Sequence, residues 1–236
     1  QPFVIRRYSP VVTVGGGRVL LPKCGKHKRF DSKLLSKLKI QEQGNDLERI
    51  ETIIQDYEQT VEPEDLMIET GLTVNKIIDK CEKLTAEDRL FKFTTGQQTS
   101  YLHCNNYNYL KDQVVKSLKE YHRQHHLRWG QSKEEIRSQL EFELNKQEYD
   151  QFLVSLEEIE RKEGNIKLKE HEIKLNEQEK ELKNRLEDKF RNNPFMPPTL
   201  QELQKEFEVE EKLVEELFDL LVREGRLKRV DAEIYL

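Results

Sequence analysis

The stretch that decides the fold is PEDLMIETGLTVNKIIDKCEKL (residues 63–84), which is followed by LFKFTTGQQTSYLH (90–103). Pro63 suits the first position of a helix, and Gly71 suits the position just after its end. Apolar residues then recur at the spacing of one helical face, at Val74, Ile77, Ile78, Cys81 and Leu84. Two β-prone runs flank Gly96 and predict a hairpin. The order is therefore helix, turn, helix, hairpin.

A further helix is predicted just before this stretch, over residues 46–57, because its apolar residues also lie on one stripe. These residues are Leu47, Ile50, Ile53, Ile54 and Tyr57. Three helices followed by a two-stranded hairpin form a helix-turn-helix unit that carries a wing.

The same order of elements recurs in the middle of the chain. A helix is predicted over residues 109–126. Its inward residues are Val114, Leu118 and Tyr121. The next helix is short and begins with the capping box Ser132-x-x-Glu135, in which each residue caps the other's backbone N–H. This is the start of a second copy of the unit.

The second copy continues with a long helix over residues 146–160, which Gly164 ends. Its inward residues are Tyr149, Leu153, Leu156 and Ile159. Alternating apolar residues in NIKLKEHEIKL (165–175) predict the hairpin. Around its polar turn, the predicted partners are Ile166 and Leu168 on one strand with Ile173 and Leu175 on the other.

A third copy begins with a helix over residues 177–191. After the break PFMPP, the capping box Thr199-x-x-Glu202 starts a short helix. A long helix over 209–224 stops at Gly225, and RLKRVDAEIYL then begins a hairpin. The third wing is expected to be truncated, because the sequence ends inside a strand-like run.

The first residues have strand character instead. FVIRRYS (3–9) alternates apolar and polar residues, and VVTV and RVLL follow on either side of Gly15, Gly16 and Gly17. These glycines permit positive φ and a tight connection or a bulge. Two or three short strands cannot form a stable sheet alone. We therefore interpret them as part of a larger β-barrel. A basic linker follows, with a helix over 32–39 that Asp31 or Ser32 caps.

Units of helices and a wing at intervals of roughly 65 residues predict the fold class. The fold is mainly α with small β, consisting of tandem winged-helix (helix-turn-helix) domains after a β-barrel remnant. The predicted domains are barrel strands (1–22), a basic linker (23–45), and winged helices over 46–105, 106–176 and 177–236. A coiled coil over 168–190 is the competing interpretation, but it lacks the ~3–4 heptads that such a structure needs.

Composition agrees with several small modules. Of 236 residues, 35% are hydrophobic and 36% are charged, which excludes one large domain with a deep core. No apolar run approaches the ~20 residues that span a bilayer. The three cysteines form no CxxC pair, so we expect neither a disulfide framework nor a zinc site, and a reduced, cytoplasmic setting.

The segment FVIRRYSPVVTVGGGRVLLP (3–22), with GKHKRF (25–30) after it, resembles bacterial selenocysteine-specific elongation factors, the SelB family. In that family the third β-barrel ends in the pattern RxYSP…TIGGGxVLDP. Leu21 departs from this pattern, which has Asp there. Beyond residue 30 the resemblance is architectural, because an arm of four tandem winged helices follows the barrel in that family.

The resemblance implies a translation factor that delivers selenocysteinyl-tRNA to recoded UGA codons on the ribosome. It implies GTP with Mg²⁺ in a GTPase domain, and a last winged helix that binds an mRNA hairpin. Both lie outside the three copies found here. We therefore expect this chain to be a monomeric piece of such a factor, acting as the arm between those two ends.

Charge separates the candidate nucleic-acid surfaces. Residues 74–84 carry three lysines against two acids, but 146–160 carry one lysine against five acids, and 209–224 two bases against six acids. The third helix is the usual groove reader, and acidic helices repel phosphate. Copies two and three are therefore predicted to be spacers.

The candidate RNA-binding residues lie in the basic first 40 residues, which hold ten Lys or Arg and one acid. They are Arg6, Arg7, Arg18, Lys23, Lys26, Lys28 and Arg29. Contact with tRNA or ribosomal RNA is one interpretation of this charge, and a solvated linker is the other. Trp129 is interpreted as a core residue or a cap on its turn, with base stacking as the alternative.

No catalytic chemistry is predicted. The sequence contains no phosphate loop, no GxSxG and no HExxH, so we expect no catalytic residue and no cofactor in this part of the factor. His122, His125 and His126 could share a helix face, but no Cys or carboxylate nearby completes a metal site.

Two other functions compete with the elongation-factor arm. One is a tandem winged-helix scaffold that binds proteins through its acidic faces. The other is a DNA-binding regulator, which has no need of a barrel strand such as SPVVTVGGG.

Overall fold

A computed structural model describes residues 2–19, 31–193 and 198–228. The chain divides into two compact units, one formed by residues 1–111 with 141–155 and the other by 112–140 with 156–236. Helices dominate both units and small antiparallel sheets accompany them, so the predicted fold class is confirmed. Among the described residues, no helix has the length and apolar character needed to cross a membrane.

The N-terminal strands form an exposed two-stranded ribbon of β1 (Pro2–Arg7) and β2 (Val12–Arg18). The three glycines lie inside β2, so the predicted tight connection at the glycines is wrong. The bulge lies one residue before them, because Ile5 faces Gly15 while Arg6 faces Thr13. A Cβ on Gly16 would lie 2.7 Å from the Phe3 carbonyl oxygen, which explains why glycine suits this position.

The linker helix is longer than predicted. It is α1 (Ser32–Gln43), and of the two proposed caps Asp31 accepts the Leu34 N–H at 3.2 Å. The first copy then contains the predicted elements, which are α2 (Asp46–Asp56), α3 (Pro63–Thr70), α4 (Val74–Ala86), β3 (Leu90–Thr95) and β4 (Gln98–His103). Gly71 has the left-handed conformation that ends α3, as predicted.

The core of the first copy gathers apolar faces from all three helices and the wing. Its buried residues are Ile50, Ile53, Ile54, Val61, Leu66, Ile77, Cys81, Leu84, Leu90 and Tyr101. Full burial of one such aliphatic side chain contributes about 1.5–3 kcal/mol. Val61 also exchanges both backbone hydrogen bonds with Tyr101, at 3.0 and 2.9 Å, so a third segment extends the sheet beside the wing.

The second copy contains six elements, which are α5 (Cys104–Gln124), β5 (Gln131–Ser132), α6 (Lys133–Gln139), α7 (Lys146–Ser155), β6 (Ile159–Lys162) and β7 (Asn165–Leu168). Helix α5 begins several residues before the predicted start. Ser132 is the N-cap of α6, but its side chain makes no capping hydrogen bond, so the predicted box is not formed.

The wing of the second copy differs from the prediction. The long helix ends at Ser155, and β6 pairs with β7 through Ile159 with Leu168. Glu163 and Gly164 both have positive φ, 51° and 82°, which is the backbone of a tight two-residue hairpin. The predicted pairing of residues 166 and 168 with 173 and 175 is therefore wrong.

The third copy contains α8 (Glu177–Asn192), α9 (Leu200–Phe207) and α10 (Glu211–Arg223). The predicted capping box at Thr199 and Glu202 is formed, and Gly225 has positive φ after α10. The core consists of Leu127, Leu182, Leu186, Phe190, Leu203, Val214, Leu217, Phe218, Leu221 and Leu227, with Ile173 and Leu175 packed beside it. The leucines that suggest a coiled coil thus lie in strand β7 and in this core. The predicted third hairpin, from residue 229 onward, lies outside the described residues.

Candidate functional site

The third helix of each copy is the element that could read a nucleic acid, so its surroundings decide what the copy can do. These helices are α4, α7 and α10. The charge of α7 and α10 predicted that they are poor readers, and the contacts inside each compact unit give the reason.

Glu148 anchors α7 within the first unit. Its side chain is 4% exposed, and its Oε1 accepts hydrogen bonds from Thr60 Oγ1 at 2.9 Å and Ser100 Oγ at 2.6 Å. Its Oε2 accepts the Asn145 N–H at 3.0 Å. Each hydrogen bond to a charged group contributes about 1.5–3 kcal/mol. Glu148, one of the acids of α7, therefore anchors that helix against strand β4.

Gln151 extends this contact to the edge of β3. Its Oε1 accepts the Thr94 N–H at 3.0 Å, and its Nε2 donates to the Thr94 carbonyl at 2.6 Å. The side-chain amide thus satisfies both backbone groups of one residue in an edge strand. Beside it, Tyr107 stacks on Phe91 at 4.8 Å and meets Phe152 edge-on at 5.2 Å.

In the second unit, α10 is held at the C-terminal end of α5. Glu216 is 3% exposed, and its Oε1 lies 2.7 Å from His125 Nδ1. Arg128 lies between three acids of α10, at 3.7 Å from Glu215, 3.9 Å from Glu216 and 3.9 Å from Asp219. Three of the acids that predict α10 to be a poor reader therefore lie near Arg128.

An apolar residue and further polar bonds complete this contact. Leu127 is 1% exposed and belongs to the core of the third copy. His126 Nε2 lies 2.8 Å from Glu179 Oε1 on α8, and Lys212 Nζ donates to the Gln124 carbonyl at 2.9 Å. The loop after α5 is thus built into the module that follows it.

We call these two contacts the α7 joint (Glu148, Gln151) and the α10 joint (Leu127, Glu216 with His125 and Arg128). Each occupies one face of a third helix with contacts inside the chain. A face that already packs against another part of the chain cannot also pack against bases. The acidic residues of α7 and α10 therefore serve packing between elements of the chain, in addition to the predicted repulsion of phosphate.

Helix α4 is the most basic of the three third helices, but its acids pair with lysines nearby. Asp79 lies 3.3 Å from Lys83 and 3.6 Å from Lys80, and the hydrogen bond from Lys83 is the main reason that the pKa of Asp79 is lowered. The Lys92 ammonium lies 2.6 Å from Glu82 and lowers the pKa of that carboxyl in the same way. These pairs neutralise part of the positive charge of α4.

The structure describes three of the seven predicted RNA-binding residues. Arg6 and Arg7 lie on β1 beside the turn of the ribbon and, as neighbours in a strand, point to opposite faces. Arg18 pairs with Pro2 at the other end, roughly 16 Å along the strand from Thr13, the partner of Arg6. All three arginines are exposed, but the ribbon does not bring them together. The remaining four, Lys23, Lys26, Lys28 and Arg29, lie outside the described residues.

The three histidines near the end of α5 have protein partners. His122 Nε2 accepts the Leu168 N–H at 3.2 Å, and its ring stacks on His171 at 3.7 Å. Burial, followed by the charges of His171 and Lys167, lowers the pKa of His122 to about 4. His125 contacts Glu216 of the α10 joint, and His126 contacts Glu179 on α8. Within the described ranges, no group of three or more His, Cys, Asp or Glu is placed to hold a metal ion.

Trp129 lies between cationic side chains in the second unit. The Arg223 guanidinium carbon lies 5.0 Å from its ring centroid, and Lys167 Nζ lies 5.8 Å away. Cation–π contacts of this kind contribute about 0.5–1 kcal/mol where partly solvated. These contacts show two cationic neighbours of Trp129, and its role as a core residue or turn cap stays a prediction.

The joint residues were missed by the sequence reasoning. The pattern Asn145-x-x-Glu148 is a helix-start signal that could have marked Glu148 as a capping residue. No local pattern points to Thr60 or Ser100, because both are far away along the chain. His125 was considered only as a metal ligand.

One comparison with known proteins bears on the second copy. Residues 115–175 match the family described as elongation factor SelB, winged helix. The matched segment starts within α5 and continues past β7, so it includes α6, α7 and the wing. Nothing among the curated proteins compared with the chain matches it. The second copy is therefore similar to a SelB winged helix in sequence as well as in the order of its elements.

Proposed function

We propose that this chain is the winged-helix arm of a SelB-like elongation factor, between the body that binds GTP and selenocysteinyl-tRNA and the end that binds the mRNA hairpin. The match of residues 115–175 supports this proposal, as does the resemblance of residues 3–30 to the end of a SelB barrel. GTP with Mg²⁺ would then bind outside this chain, in the cytoplasm, and no residue of the chain would be catalytic.

The observation that carries the spacer role is the use of α7 and α10 for packing inside the chain. A spacer needs consecutive modules held by specific contacts, and both joints supply buried, directional hydrogen bonds. A DNA-binding regulator would need a third helix with an open face for the groove, and these contacts reduce the free surface of α7 and α10. The arm would meet tRNA or ribosomal RNA through its basic N-terminal residues, including Arg6 and Arg7.

Binding of this chain to a selenocysteine-insertion mRNA hairpin tests the proposal directly. We expect weak binding that disappears as salt rises, because only non-specific phosphate contacts contribute. Tight, salt-resistant binding would contradict the spacer role. The same measurement on the full-length factor should give tight binding.

A second experiment tests the joint inside the working factor. In the full-length protein, Glu148→Ala with Gln151→Ala should lower UGA readthrough while leaving GTP hydrolysis and hairpin affinity unchanged. Glu157→Ala is the matched control, since Glu157 is exposed on the turn after α7. Equal readthrough in both variants would show that the α7 joint does not matter for delivery.

A further inference from the structure

A cavity of about 640 Å³ lies in the first unit between α1, α2 and the loop that precedes α7. Its volume is in the range of small-molecule sites, roughly 300–1,000 Å³. The loop is held in place by a backbone bridge between Gln59 and Glu143, and both residues line the cavity. The cavity belongs to neither joint.

The lining of this cavity is strongly acidic. Its carboxylates are Asp56, Glu58, Glu69, Glu141 and Glu143, and its cation is Lys37. Lys37 forms an ion pair with Asp56, which leaves four carboxylates without a cation in the lining. Glu69 accepts a hydrogen bond from the Tyr57 hydroxyl at 2.6 Å, and Glu141 accepts one from Tyr109, but a phenol brings no positive charge. The cavity therefore attracts cations.

The lining also contains apolar side chains and one unpaired acceptor. Its apolar side chains are Leu34 and Leu38 of α1 and Ile53 of α2, with the Tyr57 ring beside them in the lining. Gln41 also lines the cavity and is 7% exposed. Its amide nitrogen donates to the Arg49 carbonyl at 3.3 Å, while its Oε1 has no hydrogen-bond partner among the described residues. A buried acceptor without a donor is unfavourable, so a ligand with N–H groups would be stabilised beside it.

We propose that this cavity binds a linear aliphatic polyamine. Ammonium groups separated by methylene chains match a lining that combines carboxylates with apolar side chains, in the way that a lysine side chain packs its stem on apolar surface and keeps its charge in a polar setting. The simple divalent cations do not match, because they prefer several oxygen ligands in a compact shell and gain nothing from leucine side chains. This proposal does not rest on the elongation-factor function.

Calorimetric titration of the chain with spermidine at low salt tests the proposal. Binding should weaken in Glu58→Gln with Glu143→Gln, by about two- to fivefold for each carboxylate, as expected for exposed ion pairs. The control is Glu157→Gln with Glu170→Gln, which changes the net charge equally at exposed positions outside the cavity. The control should bind spermidine within twofold of the unaltered chain.

Two competing ligands make the result decisive. Mg²⁺ tests charge alone, and acetyl-trilysine amide carries three positive charges, as spermidine does, on a peptide. Spermidine should bind more tightly than either. Tighter binding of trilysine would overturn the proposal in favour of a groove for basic peptides. Equal loss of affinity in the control variant would overturn it in favour of non-specific attraction to an acidic surface.

Discussion

The α7 joint and the α10 joint use the same helix of the repeat but different chemistry. At α7 the buried Glu148 accepts hydrogen bonds from neutral hydroxyl and backbone groups, and Gln151 pairs with an edge strand. At α10 the buried Glu216 faces His125 and Arg128, and Leu127 enters an apolar core. One joint therefore depends on hydrogen bonds, and the other on ion pairs and apolar burial.

This difference teaches that an acidic third helix has more than one structural explanation. Hydrogen bonds between a carboxylate and hydroxyl groups respond little to salt, whereas partly exposed ion pairs are screened. The two joints should therefore respond differently to truncation, pH and ionic strength, and each response can be measured by unfolding.

The largest effect should come from Leu127→Ala. Removing a fully buried leucine from the third-copy core should lower the free energy of unfolding by about 3 kcal/mol, through lost burial and the cavity left behind. Urea denaturation measures this loss. Leu35→Ala is the control, because Leu35 is 57% exposed and its truncation should change stability by under about 0.5 kcal/mol. Equal effects would show that Leu127 does not anchor the α10 joint.

Glu148→Ala should have the next largest effect. It leaves two hydroxyl groups and a backbone N–H without their acceptor, so unfolding should become easier by about 2 kcal/mol. Glu148→Gln keeps one carbonyl acceptor and should lose less. Denaturation in 0.1 M and 0.5 M salt should give the same loss, since Glu148 forms no ion pair within the part of the chain that the structure describes. A loss that shrinks with salt would contradict the hydrogen-bond interpretation of the α7 joint.

Much of the fold follows from local sequence. Pro63 and Gly71 give the bounds of α3, and the capping box at Thr199 gives the start of α9. The wing of the second copy was mispredicted because NIKLKEHEIKL alternates as a strand pair does. Its second half instead contributes Ile173 and Leu175 to the next core. Alternation gives the buried face of a segment but not its partner.

The candidate site was less predictable than the fold. Charge counting predicts that α7 and α10 are poor readers, but the partners of their acids come from distant segments. Ser100 lies 48 residues from Glu148, and His125 lies 91 residues from Glu216. No local periodicity of the sequence indicates contacts between residues so far apart. The basic residues were found by composition alone, which cannot show that Arg6 and Arg18 lie at opposite ends of a ribbon.

Acid should weaken the second unit through His122. Its pKa in the fold is about 4, below the ordinary value of 6.5, so the folded state favours the neutral ring. The stability contributed by this group is present above pH 6.5 and is lost as pH falls toward 4. Between pH 7.5 and 5 the loss should be about 2 kcal/mol. Urea denaturation of His122→Gln should show a flatter pH dependence than the unaltered chain. An unchanged slope would mean that His122 is not held neutral.

The smallest effect, and the sharpest contrast with Glu148, should come from Glu216→Gln. The amide retains an acceptor for His125 but removes the charge that faces Arg128. These partners are about a quarter to a third exposed, with side-chain exposures of 23% and 32%, so water screens the pair and the loss should be about 1 kcal/mol. Raising salt from 0.1 M to 0.5 M should shrink this loss, because added ions weaken the attraction in the unaltered chain. Arg123→Gln is the control, since Arg123 pairs with Glu120 on the exposed side of α5 and should have a smaller effect at either salt concentration. If the Glu216→Gln loss stayed constant with salt, as is expected for Glu148→Ala, both joints would depend on the same chemistry.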